Sequence, residues 1–293
     1  MAEGNDLIGQ QERGCLLTAE DVCKSYEIPN GRGARVRVLD RVNLCVRSGE
    51  LACLLGPSGS GKTTLLNIVA GFERPTSGRV LVNHREIRRP GSDRGVVFQE
   101  DGLFPWLTVR GNIGYGLARA GSCRKEIRAK VSRFIRLMGL EGFSGFYADQ
   151  LSGGMKQRVA LARVLVNKPV ALLMDEPFAS LDALTRASMQ TLLLDVWADT
   201  SQSVLFITHD VDEALILSDR IFVMTSGPGC ILEEVTVALT RPRTLDVTAG
   251  PEFLALKRRL VNLLERAKAG ERPRCIRRAS AADAAPSPGD PSG

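Results

Sequence analysis

Histidine is almost missing from this chain of 293 residues: His84 and His209 are its only two. A His-rich metal centre is thereby excluded. Cysteine occurs seven times, at 15, 23, 45, 53, 123, 230 and 275, with no CxxC pair and no Cys/His cluster. The odd count points to reduced, mostly buried thiols. No apolar run reaches the ~18–20 residues needed to cross a bilayer. The stretch Met1–Arg13 is polar and acidic, without the basic start and apolar middle of a signal peptide. A cytosolic chain without a membrane span is expected. Lysine is scarce too, with only eight among 39 basic residues. Arginine therefore sets the net charge of +6, but it is spread along the chain, which favours a solvated surface over a nucleic-acid or lipid patch. At 44% apolar and 25% charged residues the composition is that of an ordinary globular protein, neither disordered nor fibrous. The length is about twice ~150 residues per domain, which fits one large α/β unit with a small satellite.

Residues 1–15 read as a loose lead-in, and Leu16–Tyr26 as an extended segment. After a turn cluster at Pro29–Gly33, Arg35–Val46 alternates apolar and polar positions, as in a half-buried strand of a small antiparallel sheet. Leu51–Leu55, Val170–Met174, Val204–Thr208 and Arg220–Met224 are short apolar runs of the buried-strand kind. Helical patterns lie between them, at Lys62–Ala70, Met155–Leu165, Leu184–Trp197 and Val211–Leu217. Strands alternating with helices predict a mainly parallel sheet covered on both faces. Residues 105–165 break the rhythm. They carry helical patterns at Val109–Ala118 and Lys125–Met138 and no strand, and read as a helical insertion. Pro251–Ala269 is amphipathic, with Phe253, Leu256, Leu260, Leu263 and Leu264 at helical spacing. From Gly270 the chain turns to Arg, Ala, Ser, Pro and Gly, a composition expected to remain disordered. No internal repeat is present.

Gly56-Pro57-Ser58-Gly59-Ser60-Gly61-Lys62-Thr63 matches G-x-x-x-x-G-K-[ST], with a buried strand before it and a helical pattern, opening with Thr64, after it. Polyphosphate must be wrapped by backbone N–H groups, and glycines let the chain curl close. The helix start adds free N–H groups and a positive dipole end. Lys62 is placed to reach the β- and γ-phosphates, and the Thr63 hydroxyl to ligate Mg²⁺. A second acidic feature closes the strand Ala171–Met174: Asp175 is suited to the metal, and Glu176 to orienting or deprotonating an attacking water.

Leu151-Ser152-Gly153-Gly154-Met155-Lys156-Gln157-Arg158 separates the phosphate-loop families. Ser152 is an N-cap candidate, and Gly153-Gly154 opens a helix whose start can hold phosphate oxygens. LSGGMKQR followed by ALLMDEP resembles the signature and Walker B pair of the ATP-binding cassette (ABC) ATPases. That family's fold is a P-loop α/β core with a mainly parallel sheet, an N-terminal antiparallel β-subdomain and an inserted α-helical subdomain. The remaining family pieces stand in order. Gln99 is similar to the Q-loop glutamine that reaches metal and γ-phosphate. Ser180-Leu181-Asp182 resembles the D-loop, with Phe178-Ala179-Ser180 departing from the usual spelling. His209 resembles the switch histidine, and Tyr26 the aromatic that stacks on adenine.

The resemblance spans about residues 16–240, leaving 241–269 as a C-terminal extension. It implies two copies paired head to tail, with ATP and Mg²⁺ between the phosphate loop of one and Ser152–Gly154 of the other. Arg94–Asp101 with Leu103-Phe104-Pro105-Trp106, and later Arg241-Pro242-Arg243 and Pro251-Glu252-Phe253, resemble the nitrate/sulfonate/taurine (bicarbonate) importer group. Leu103, Phe104 and Trp106 would then contact an integral membrane permease or else pack the core of the helical insertion, and a solute-binding protein would deliver a small anion outside. The chain would sit at the cytoplasmic face of the membrane as a peripheral subunit. A soluble ABC-type ATPase acting on nucleic acid or ribosomes is the alternative, although no nucleic-acid partner is expected.

Overall fold

The computed structural model describes residues 14–28, 33–243 and 245–271. The expected lead-in up to Arg13 and the tail beyond Glu271 lie outside the described residues, as does most of the turn cluster at 29–33. In chain order the elements are β1 (Cys15–Glu27), β2 (Arg35–Arg47), β3 (Leu51–Leu55), α1 (Lys62–Ala70), β4 (Ser77–Val82), β5 (Arg85–Glu86) and β6 (Arg94–Val97). Then follow α2 (Val109–Arg119), α3 (Arg124–Leu137), α4 (Gly153–Leu165), β7 (Ala171–Asp175), α5 (Ala183–Thr200), β8 (Ser203–Thr208), α6 (Val211–Leu217), β9 (Arg220–Met224), β10 (Ile231–Thr236) and α7 (Pro251–Lys268).

A six-stranded sheet runs in the order β10-β9-β3-β8-β7-β6. Its strands are parallel except β10, which pairs antiparallel at the edge. The central strands are apolar throughout because both faces are covered. Leu51, Cys53 and Leu55 of β3 face a core shared with α2–α7, while Ala52 and Leu54 face a second core shared with α1 and the other sheet. β7 and β8 split the same way, with Leu172, Met174, Val204 and Phe206 on one side and Ala171, Leu173, Leu205 and Ile207 on the other. The other sheet is antiparallel, in the order β2-β1-β4-β5. Its strand β4 has no counterpart in the pattern reading, because Gly78 and Arg79 interrupt the apolar run Val80–Val82. The helical segment α2–α4 leaves the sheet between β6 and β7.

Arg220 joins the two sheets. Its buried guanidinium pairs with Glu50 at 3.1 Å and Glu234 at 2.7 Å and donates to the Cys45 carbonyl. At the C-terminal side, Arg241 stacks over the Trp197 ring at 4.5 Å and pairs with Asp219. Arg243 is buried among carbonyls, donating to Leu215, Ser218, Val237 and Leu239. These two arginines seat the segment that leads into α7.

One cysteine expectation fails. Cys15 and Cys45 are joined by a disulfide, with Cα atoms 5.6 Å apart. They are 30 residues apart in sequence, so spacing conceals them. The antiparallel pairing of β1 with β2, with an irregular register after Cys15, brings them within bridging distance. Cys23, Cys53, Cys123 and Cys230 are free. Cys123 is exposed, whereas Cys53 and Cys230 are buried; Cys275 lies outside the described residues.

Candidate nucleotide-binding and hydrolysis site

In an open parallel sheet, ligands bind beyond the carboxyl ends of the strands. Three strand ends meet here. β3 and β8 pair through Leu55 and Thr208, and β8 pairs with β7 through Ile207 and Asp175. The register therefore delivers Gly56, Asp175, Glu176 and His209 to one edge.

The loop after β3 is bent by glycines. Gly59 and Gly61 have φ of +77° and +90°, the left-handed region that a Cβ disfavours. A Cβ on Gly61 would also stand 2.7 Å from Leu39 Cδ2. Gly61 is the N-cap of α1, and no side chain caps it, so the free N–H groups of the first turn face the loop. Ser60 is fully buried beneath the loop, and its hydroxyl has no partner. Lys62 folds back, its Nζ donating to the carbonyls of Gly56 at 2.8 Å and Pro57 at 3.0 Å. Burial pulls its ammonium below the ordinary lysine pKa, and the nearby carboxylates of Glu176 and Asp175 oppose that shift. A cation held this way gains by meeting an anion.

Asp175 ends β7 almost fully buried. Burial raises its pKa; a hydrogen bond with the Thr63 side chain opposes the shift, and Glu176 adds to it. Glu176 has φ of +44°, which costs a residue with a Cβ about 1–3 kcal/mol. Its N–H donates to the Ile207 carbonyl at 3.0 Å, which pins the turn to β8. On the same side, its Oε2 lies 2.9 Å from His209 Nδ1. Gln99 is exposed, two residues beyond Val97, which pairs with Met174. It thus stands beside the end of β7.

Tyr26, next to last in β1, is partly exposed. Its hydroxyl donates to Glu73 Oε2 at 2.6 Å, and Lys24 Nζ sits 4.9 Å from its ring centre and 3.2 Å from Glu73. Burial and the Glu73 hydrogen bond raise the phenol pKa, while a bond to Thr64 opposes them.

Ser152, Gly153, Gly154 and Asp182 are not brought to this edge by any hydrogen bond or ion pair among the described residues. Ser152 and Asp182 are exposed N-caps, accepting from Met155 N and from Leu184 N and Thr185 N respectively. A Cβ on Gly154 would stand 2.6 Å from Thr185 Cγ2, so α4 and α5 start in contact. Phe178 is buried against Phe206, which gives its departure from the usual spelling a packing role. Leu103 belongs to the core, contrary to the expected permease contact. Trp106 is 69% exposed and packs on Phe104, which packs on Tyr115.

Four residues of this region escape sequence reading: Glu73, Arg186, Gln190 and Glu213. Only Glu213 leaves a trace there, as an acid four residues before Leu217 on the apolar side of α6.

The ABC transporter family model matches residues 39–179. A protein of Methanocaldococcus jannaschii described as an uncharacterized ABC transporter ATP-binding protein, MJ0412, is 48% identical over 264 residues, covering 90% of this chain and 97% of its own. The chain belongs to the ABC transporter family of ATP-binding proteins. A further relative of this ABC ATPase is the taurine import ATP-binding protein TauB of Pelagibacter ubique, 50% identical over 218 residues, covering 74% of this chain and 82% of its own. Among solved structures, the dimeric ATP-binding cassette MJ0796 bound to ADP and Pi superimposes with a TM-score of 0.67 at 30% identity, covering 76% of this ABC ATPase and all of that chain. The P-loop α/β fold expected from the motifs is thus the fold of its relatives.

Proposed function

We propose that this ABC ATPase is the ATP-hydrolysing subunit of an importer for a small anion such as nitrate, sulfonate, taurine or bicarbonate, working at the cytoplasmic face of the membrane through separate permease subunits. The observation that carries the reading is the meeting of Lys62, Asp175, Glu176 and His209 at one sheet edge, beside a loop whose free N–H groups suit a polyphosphate. The taurine import name of one relative supports the transport role. No described helix is long and apolar enough to cross a membrane, so permeation needs another chain. No comparison favours work on nucleic acid or ribosomes.

The residues divide the work. Lys62 leaves its carbonyl partners for the β- and γ-phosphates. Tyr26 offers its ring to the base. Thr63 and Asp175 form an oxygen-only donor pair, already hydrogen-bonded to each other, that suits Mg²⁺; Gln99 completes that side. Bound there, Mg²⁺ would neutralise phosphate charge. Glu176 orients the attacking water and accepts its proton, and His209 fixes the Glu176 carboxylate and reaches the γ-phosphate. Ser152, Gly153 and Asp182 are exposed and share no hydrogen bond with the chain's own phosphate loop among the described residues, which supports a second copy supplying them across an ATP sandwich. Trp106 is the side chain best placed to meet a permease.

Glu176→Gln tests the core of this reading. With ATP and Mg²⁺ it should retain nucleotide and run as a dimer on size exclusion, with hydrolysis at least about 100-fold slower. A monomer at saturating ATP would refute the sandwich. A crosslinker on Trp106→Cys should trap a membrane protein; trapped ribosomal protein would favour the alternative.

A further inference from the structure

Glu213 is a buried acid that none of the steps above uses. It lies on α6 at 6% exposure, and its Oε1 accepts from Gln190 Nε2 of α5 at 3.2 Å. It also shares a hydrogen bond with the side chain of Thr208, and Arg186 of α5 lies near enough to act on its charge. Two of these neighbours, Thr208 and Arg186, lead to functional loops. Thr208 is the residue before His209, and its Oγ1 accepts from Asp210 N at 3.0 Å. Asp210 caps α6 through Asp212 N and Glu213 N. Arg186 is one turn into α5, past its N-cap Asp182. Its guanidinium holds two carbonyls of the preceding loop, Phe178 at 3.3 Å and Leu181 at 2.9 Å. Hydrogen bonds thus tie Glu213 to Gln190 of α5 and to Thr208 beside His209, while the charge of Arg186, which is bonded to the loop between Glu176 and Asp182, acts on Glu213 from the other side. Glu213 sits between the two, bonded to α5 through Gln190 and to the His209 turn through Thr208.

We propose that Glu213, with Gln190, is a positioning residue that locks the His209 turn to the Asp182 loop, so that the chain's own switch histidine and the loop offered to the partner copy move as one piece. The proposal rests on the ATPase reading of the site. The physical basis is that a buried, hydrogen-bonded polar bridge has few alternative arrangements, since any displacement leaves polar groups unpaired. Neither Glu213 nor Gln190 touches the phosphate loop, so the lock should act on turnover and leave nucleotide affinity alone.

The experiment is steady-state ATPase kinetics on the full chain, comparing Glu213→Ala, Glu213→Gln, Gln190→Ala and the Glu213→Ala/Gln190→Ala double variant, with Glu176→Gln alongside. Glu213→Ala should lower kcat about tenfold while KM for ATP stays within about twofold. Glu213→Gln, which can still bond Gln190 and Thr208, should recover most of that loss. The double variant should be no slower than Glu213→Ala, because the two side chains act through one bond. If Glu213→Ala does not fold, Gln190→Ala carries the test, with a smaller kcat loss at unchanged KM expected. A wild-type kcat in the alanine variants, or a loss that Glu213→Gln fails to reverse, overturns the lock. Glu176→Gln separates the two levels. If it still hydrolyses ATP, the site reading fails; if it is inactive while the alanine variants are normal, only the lock fails.

Discussion

Nδ1 of His209 lies 2.9 Å from Oε2 of Glu176, although the two residues follow different strands. A carboxylate can only accept, so Nδ1 carries the hydrogen and Nε2 is the ring nitrogen left for a substrate. The contact fixes one rotamer of a carboxylate that the strained φ of +44° has already turned out of the strand direction. His209→Ala should therefore retain ATP binding and lose about 100-fold in turnover. Phosphate release measured beside fluorescent-nucleotide binding checks this. Equal losses of binding and turnover would contradict it.

The turn after β9 backs the phosphate loop. Gly229 bonds β2 on both sides, through Val38 O and Asp40 N. A Cβ at Gly229 would clash with the Ser60 carbonyl, a backbone atom that cannot swing away. Gly229→Ala is expected to displace the loop and weaken ATP binding about tenfold or more, by analogy with the cost of overpacking, about 1–3 kcal/mol. Isothermal titration with ATP reads it. An unchanged Kd would mean that the turn gives way and the loop does not.

Arg243 carries a buried charge whose partners are carbonyls. Burial, and repulsion from Arg241, pull its pKa down to about 10, with Asp219 opposing. Replacing it by Met would leave the carbonyls of Leu215, Ser218, Val237 and Leu239 without their donor. Arg243→Met should cost about 3 kcal/mol of stability. Urea unfolding measures it, and a loss below about 1 kcal/mol would show that those carbonyls find other donors.

Burial raises the Glu213 pKa above its unfolded value; hydrogen bonds from Thr208 and Gln190 and the charge of Arg186 oppose this, and Asp210 adds to it. Cys53 also lies within reach of its charge. Between the unfolded and the native pKa the folded chain holds a proton that the unfolded chain has lost. Stability from this group is therefore intact below the ordinary glutamate range and falls as pH rises through that window. Glu213→Gln should flatten this part of the pH–stability curve, as seen by denaturant midpoints from acid to neutral pH. An unaltered slope would place the titration elsewhere.

Motif and periodicity carry most of the frame. The runs Leu51–Leu55 and Arg220–Met224, and the helices Lys62–Ala70 and Val211–Leu217, appear in the fold with the bounds their patterns suggest. They are legible because a strand buried on both faces must be continuously apolar and a helix on its surface must repeat every three or four residues. β4 is hidden because serine, glycine and arginine occupy half of its length. The Cys15–Cys45 pair is hidden because strand register, and not spacing, brings it together.

The sequence by itself determined the presence of a phosphate loop, the acidic strand end and the family to which they belong, because those depend on residue types at fixed local spacing. Only the tertiary structure decided that Glu176 meets His209, that Lys62 is held between carbonyls and carboxylates, and that Glu213 spans α5 and α6. Each of these contacts joins residues on different elements, and parallel-strand pairing, which local chemistry does not encode, sets their distance.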